Sequence, residues 1–530
     1  MKFLSRRSEN GGIYGLEGSG LAFLIAAAVR HGAKSIGVFL PDGDAAARLR
    51  GDIRFFLGED ESQTDMLGDL VACYPSSDAQ PYAFGAFESE LWMERVAALY
   101  RYAVTYPPRV FVAGLDCAIQ KVIPRSAFEK VGLSLVTGQE IDREELLQRF
   151  IEAGYSRSPL VEDAGEFSVR GFVIDVYSPF YLYPARIEQV GDRIESIRFF
   201  DPSSQRSREE VDSIHVGPIH AFIPHEQARE KGIQRLVEYC EELGVERRIR
   251  QSLVDDFRHR VRFPGMESYL PFFFPTMETC FEYLPPDTTI IVPDQETINR
   301  FFSDIDEEIS RGWERAREAG LPVPLPQKLF LSKDDFLSRL GAFRTVIASS
   351  LEIEEPGRIS LRVSCCSNRD IRQDMARTKA YDAGMTFLVN SLRQWRDEGN
   401  EVFLVSHTHG QANRLLKLLE PYQLHLDFLG ERFDPNHFFS QPTPGIRVAI
   451  GALSSGFRLT EACRVVVTEE EIFGSRIRTP PSASSTRDLD IVFGRSLGGR
   501  CRGPRRLRYR NFSGACPQGI RGHRGRGHGD

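Results

Sequence analysis

Eight residues near the start of the chain, Gly15-Leu16-Glu17-Gly18-Ser19-Gly20-Leu21-Ala22, constrain its fold more than any other stretch. Their glycines keep the spacing of G-x-x-x-x-G-K-[ST], a turn that leads into a helix and aims backbone N–H groups at phosphate. The last two positions depart from that pattern. Lysine there would neutralise the β- and γ-phosphates and a hydroxyl would hold Mg²⁺, and Leu21 and Ala22 can do neither. A second nucleotide-hydrolysing element is also eroded: Ile290-Ile291-Val292-Pro293-Asp294-Gln295 reads as a strand that should end in paired acids, yet Gln295 is no carboxylate. Gly15, Gly20, Leu21 and Ala22 are therefore read as a degenerate nucleotide site, expected to be inactive. No catalytic residue, cofactor or metal is expected in this chain.

The surrounding pattern is α/β. Leu21–Val29 predicts an apolar helix, Ser35–Leu40 a strand, Pro41-Asp42-Gly43 a turn, and the residues to Leu57 a second helix. A helix around Glu88–Tyr102, a strand at Val110–Ala113 and a helix opening near Asp116 continue the alternation expected of a mostly parallel sheet covered by helices. Between Leu135 and Phe222 the character changes, because Phe167–Val176, Ala185–Val190 and Arg193–Phe199 read as short strands set off by Gly, Pro and Asp turns. Helical patterning returns over Glu226–Arg262, the strand Thr288–Val292 restores the α/β signature, and Leu321–Gln327 reads as a proline-rich loop. A third α/β unit has helices at Arg377–Glu398 and Gly410–Leu419 and strands at Glu401–Ser406 and Arg464–Thr468. The expected domains are a degenerate NTPase-like module from residues 1–134 and 223–350, a strand-rich α+β insertion at 135–222, and a small separate α/β domain at 365–476. A linker at 477–492 and a disordered tail at 493–530 complete the division.

The net charge of −7 hides an asymmetry. Residues 491–530 hold ten Arg and one Asp, so residues 1–490 carry −16. An acidic body disfavours nonspecific binding to nucleic-acid phosphates and favours docking onto particular protein partners. The run Leu21–Val29 falls short of the ~20 residues of a membrane span and lacks a signal-peptide cleavage pattern, so a cytoplasmic location is expected. Nine cysteines with no C-x-x-C pair suggest neither a disulfide framework nor a zinc site. The acids Asp255-Asp256, Asp334-Asp335 and Glu469-Glu470-Glu471 read as solvated helix or loop faces. His407 and His409 read as a loop-end pair without a third ligand.

Specific strings carry a family resemblance. They are Ala79-Gln80-Pro81-Tyr82 with Glu88-Ser89-Glu90, Phe167-Ser168-Val169-Arg170-Gly171-Phe172-Val173-Ile174-Asp175-Val176, Tyr183-Pro184-Ala185-Arg186-Ile187-Glu188, and Gly191-Asp192-Arg193 through Phe200-Asp201-Pro202. Phe263-Pro264-Gly265-Met266-Glu267-Ser268-Tyr269 and Thr468-Glu469-Glu470-Glu471-Ile472-Phe473-Gly474-Ser475-Arg476 add to them. With the degenerate glycine loop, they make Gly15–Arg476 resemble the UvrB-like module and following domain of the bacterial transcription-repair coupling factors, the Mfd family. The resemblance implies a scaffold that recruits UvrA to RNA polymerase stalled at DNA lesions. It places two UvrA-binding arginines on Arg170 and Arg186 and an aromatic position on Val190. Gln189-Val190 departs from the family there, which usually has aromatic residues. On the residues alone, each arginine could equally pair with a local acid such as Asp175, Glu188 or Asp192.

In that family the polymerase-interacting domain and an ATP- and Mg-dependent DNA translocase follow this region, so RNA polymerase and DNA are expected as partners only of a full-length protein, and no membrane is expected. The tail from Phe493 has ten Arg, ten Gly and no Lys, as a GC-rich gene read out of register would give. Synonymous codons for residues 500–513, read one base later, can encode V-V-H followed by G-I-G, a string resembling the opening of the polymerase-interacting domain. The expectation is a frameshifted remnant. The alternatives are a UvrB-type or helicase-type ATPase, which Leu21 and Ala22 disfavour, and an inert gene fragment.

Overall fold

Short apolar runs between polar turns become parallel strands buried on both faces. A computed structural model describes residues 10–474 except 60–67, 77–80, 83–88, 105–106, 129–131, 220–225, 260–262, 351–358, 372, 374–380 and 431–432. The predicted linker and tail at 477–530 lie outside the described residues, as do Ala79, Gln80, Glu88, Ser475 and Arg476 of the family strings.

The first sheet begins with β1 (Gly11–Tyr14), β2 (Ile36–Leu40), β3 (Val71–Tyr74) and β4 (Val110–Gly114), alternating with helices Gly20–Arg30, Gly43–Leu57, Ser89–Val104 and Leu115–Ile119. Gly20–Arg30 is short and apolar on almost every side, and eight of its eleven residues are buried. Gly43–Leu57 starts where Asp42 accepts the Ala45 N–H at 2.7 Å and stops at the left-handed Gly58.

The chain then leaves this sheet. An antiparallel pair, β5 (Leu133–Val136) and β12 (Ser213–Val216), ties the two ends of the insertion together. Between them run β6 (Ser156–Arg157), β7 (Glu166–Arg170), β8 (Val173–Val176), β9 (Ala185–Val190), β10 (Arg193–Phe200) and β11 (Ser207–Glu210). They form a six-stranded sheet ordered β11-β10-β9-β8-β7-β6, antiparallel except for β6 with β7. Phe167–Val176, which reads as one strand, is a hairpin turning at Gly171-Phe172. Gly171 has φ 57°, the left-handed first position of a type II′ turn.

Two helices, Glu226–Glu242 and Arg247–His259, lead back to the first sheet, which β13 (Thr289–Val292), β14 (Arg344–Ser349) and β15 (Ile359–Arg362) complete. Its order is β15-β1-β14-β13-β2-β4-β3, all parallel. The last sheet contains β16 (Cys365–Cys366), β17 (Glu401–Ser406), β18 (Leu426–Phe428), β19 (Gly445–Ile450), β20 (Phe457–Leu459) and β21 (Arg464–Thr468), ordered β16-β20-β21-β17-β19-β18. One of its faces buries Val402, Leu404, Val448 and Val467 under its own helices Tyr381–Asp397 and His409–Leu419. The other contributes Phe403, Ala449, Phe457 and Val466 to a core shared with the helices of the first sheet. The small α/β unit thus has its own sheet but only one face of its own. No helix among the described residues is long and apolar enough to cross a membrane.

Candidate partner-binding face and the degenerate glycine loop

Strand parity sorts the insertion's side chains. Phe167, Ile174, Val176, Ala185, Ile187, Ile194, Ile197 and Phe199 face the core. The register pairs Arg170 with Val173, Asp175 with Arg186, and Arg186 with Arg198, so these residues share the outer face. Val190, four residues on from Arg186, points the same way and is 59% exposed. The structure therefore brings Arg170, Arg186 and Val190 onto one surface.

Asp175 holds that surface together. Its side chain is fully buried, and Arg186 grips it with two parallel hydrogen bonds, Nε to Oδ1 at 2.8 Å and a terminal nitrogen to Oδ2 at 3.0 Å. Arg170 adds a bond to Oδ2 at 2.5 Å while its own side chain stays 46% exposed. Hydrogen bonding to Asp175 raises the Arg186 pKa above its usual value. Arg186 also lies 4.4 Å from the centre of the Phe200 ring and donates to the Gln205 carbonyl and side chain. The local-acid pairing is therefore real, and it is the device that fixes both guanidinium groups. Sequence reasoning named Asp175 only as one possible local partner; its place opposite Arg186 needed the strand register.

Gln189 does not share the outer face. It is fully buried and donates from Nε2 to the Ile141 carbonyl at 2.7 Å. Of the Gln189-Val190 pair, only Val190 offers a position where an aromatic could meet a partner, because neighbouring strand residues point to opposite faces.

The glycine loop joins β1 to the helix Gly20–Arg30, and its open side faces the last sheet. A Cβ on Gly15 (φ 77°) would lie 2.6 Å from the Val363 carbonyl oxygen, one on Gly18 (φ 56°) would collide with the Gly456 carbonyl, and one on Gly20 would lie 2.7 Å from the Cys365 sulfur. The Gly15 N–H donates to the Ser349 carbonyl. Ser19 donates to Asp52 Oδ2 and is also 2.7 Å from the Ser455 carbonyl. Glu17 accepts the Ser367 N–H at 2.9 Å and its hydroxyl at 2.5 Å. A groove beside Gly18 is lined by Ser367, Asn368, Arg369, Ser454, Glu470 and Glu471. Ala22 is fully buried in the shared core. In the eroded second element, Asp294 caps the helix Gln295–Glu318 by accepting the Thr297 N–H at 3.0 Å.

The remaining sequence candidates have local roles. Asp334-Asp335 and Glu469-Glu470-Glu471 sit in the first turns of helices, where the helix dipole favours negative charge. Asp255 accepts from Gln251 one turn earlier. His407 is 3.6 Å from Glu470, whereas the His409 ring meets Phe428 edge-on. Among the described residues no cluster of His, Cys, Asp or Glu could hold a metal ion, and all seven described cysteines are free.

Comparison with known proteins finds similarities to this geometry. Residues 133–222, which begin at the first residue of β5, match the UvrB interaction domain. The chain is 29% identical to the transcription-repair-coupling factor of Myxococcus xanthus over 86% of its own length and 38% of the relative's. It is similar to the transcription-repair-coupling factors. Those of Haemophilus influenzae and Bacillus subtilis are each 25% identical over 83% and 90% of this chain, and over 36% and 39% of their own lengths. The chain thus spans less than two-fifths of the length of these coupling factors.

Proposed function

We propose that this chain is a non-catalytic adaptor of transcription-coupled nucleotide excision repair, whose strand-rich domain binds UvrA and so recruits it to RNA polymerase stalled at DNA lesions. The observation that carries this reading is the UvrB interaction domain match over a sheet whose outer face holds two arginines on one buried carboxylate. Guanidinium groups fixed in this way lose little entropy on meeting carboxylates and make strong interface anchors. The glycine loop acts as a seat for the last sheet, and the adaptor uses neither ATP nor a metal.

Titration of the purified chain with UvrA tests the reading. Arg170→Ala is the clean variant, because that side chain is half in water, and the expected loss of affinity is about tenfold. Adding ATP and Mg²⁺ should leave both the affinity and the melting temperature of the chain unchanged. Absence of binding by the wild-type chain, or binding as tight as wild type by both Arg170→Ala and a folded, doubly substituted Arg170→Ala, Arg186→Gln chain, would refute the proposal.

A further inference from the structure

Five of the nine large apolar side chains most exposed among the described residues fall within 133–222: Val136, Ile151, Phe172, Leu182 and Val190. Phe172 is the most exposed of all, at 69%. It stands at the tip of the β7–β8 hairpin, two residues beyond Arg170, and its backbone is fixed. The Phe172 carbonyl accepts the Gln189 N–H at 2.8 Å, and Arg143 donates to the carbonyl of Gly171 at 2.5 Å. Val190 follows Gln189, so both exposed apolar side chains lie at the same end of the sheet. A ring held by a pinned two-residue turn, with its surface left in water, is an anchor that binds at little entropic cost. The fold itself gains nothing from leaving it exposed.

We infer that Phe172 is the apolar anchor of the partner interface, inserting into an apolar pocket of UvrA whose rim offers carboxylates to Arg170 and Arg186. This rests on the proposed UvrA-binding function and adds to it the residue that supplies the apolar centre. In place of an aromatic at Val190, the same end of the sheet presents one from the neighbouring hairpin. Arg170 engages Asp175 through one terminal nitrogen, so the rest of its guanidinium is available to a carboxylate on the pocket rim.

The test measures UvrA affinity for the full chain carrying Phe172→Ala, Phe172→Trp or Ile151→Ser, with melting temperature followed alongside. Phe172→Ala should weaken binding at least about tenfold, Phe172→Trp should keep it within about threefold, and Ile151→Ser, on the helix Arg143–Glu152 away from the tip, should leave it unchanged. Melting temperature should not move, because Phe172 is exposed. Affinity of Phe172→Ala within about twofold of wild type, with Arg170→Ala still impaired, overturns the anchor and leaves the UvrA reading intact. Failure of the wild-type chain to bind UvrA overturns both.

Discussion

At the scale of single residues, Asp175 decides what the neighbouring arginines are able to do. A fully buried carboxylate shared by two guanidinium groups is tolerated only while it stays paired. Arg186→Ala would strand it with Arg170 alone, and the expected cost is about 3 kcal/mol of stability. Arg186→Ala combined with Asp175→Asn removes the stranded charge and should recover most of that loss, a non-additivity that chemical denaturation of the two variants would reveal. Equal destabilisation by the single and double variants would show that Asp175 does not depend on Arg186. The strings put Arg170 and Arg186 on strands, and the register brings both onto one outer face. The same strings cannot show that Asp175 sits between them, since the register of β8 against β9 is a tertiary fact. The orientation of Gln189 is likewise a matter of register. A polar side chain on a strand is ordinarily taken as outward, and this one turns inward because the Ile141 carbonyl needs a donor.

At the scale of elements, the informative feature is the seam between the glycine loop and the last sheet. Runs such as Ser35–Leu40 and Glu401–Ser406 are legible in the sequence because their strands are buried on both faces. β1 and β14 carry no such signal, since Gly11–Tyr14 is short and glycine-rich and Arg344–Ser349 mixes polar with apolar residues. The seam itself is illegible, being built from the two-residue strand β16 with its flanking residues at 363–368 and from the loop at 454–456, which are too short to carry periodicity. It contains two carboxylates whose titrations oppose each other. Burial pushes the Asp52 carboxyl above the ordinary carboxylate range, even though Ser454 and Ser19 donate to it. Its contribution to stability is present in full below the unfolded pKa and fades as pH rises through the raised folded value. Hydrogen bonds from the Ser367 hydroxyl and N–H hold Glu17 below the ordinary range, so its contribution is present above the unfolded pKa and fades as pH falls through the lowered one. Melting temperature followed from about pH 3 to about pH 8 should show both arms. Asp52→Asn should flatten the arm on the rising side, and Glu17→Gln the acid one. A wild-type profile that neither substitution alters would rule out the assignment.

At the scale of the whole molecule, aromatic rings lock two sheets into a common core. Phe23 and Phe56 of the first sheet's helices meet Phe438 at 5.9 and 5.4 Å, and Phe403 of β17 meets it at 4.9 Å. Phe55 stacks on Phe433 at 4.2 Å, and Phe457 reaches Phe23 at 5.8 Å. Phe438→Ala should cost about 3–5 kcal/mol. Because the residue belongs to both sides, calorimetry should record one transition shifted downward. Two separated transitions in the wild-type chain, with only one moved by Phe438→Ala, would mean that the sheets fold independently.

The glycine loop is packed against protein, with the Val363 and Gly456 carbonyls and the Cys365 sulfur lying where a Cβ on Gly15, Gly18 or Gly20 would have to go. Leu21→Lys and Ala22→Thr would place a cation at a half-buried position and a hydroxyl in a fully buried one. Both substitutions would therefore act first as packing defects. Gly15, Gly18 and Gly20 must be small for neighbouring carbonyls and a sulfur, so the motif's spacing is required by packing alone.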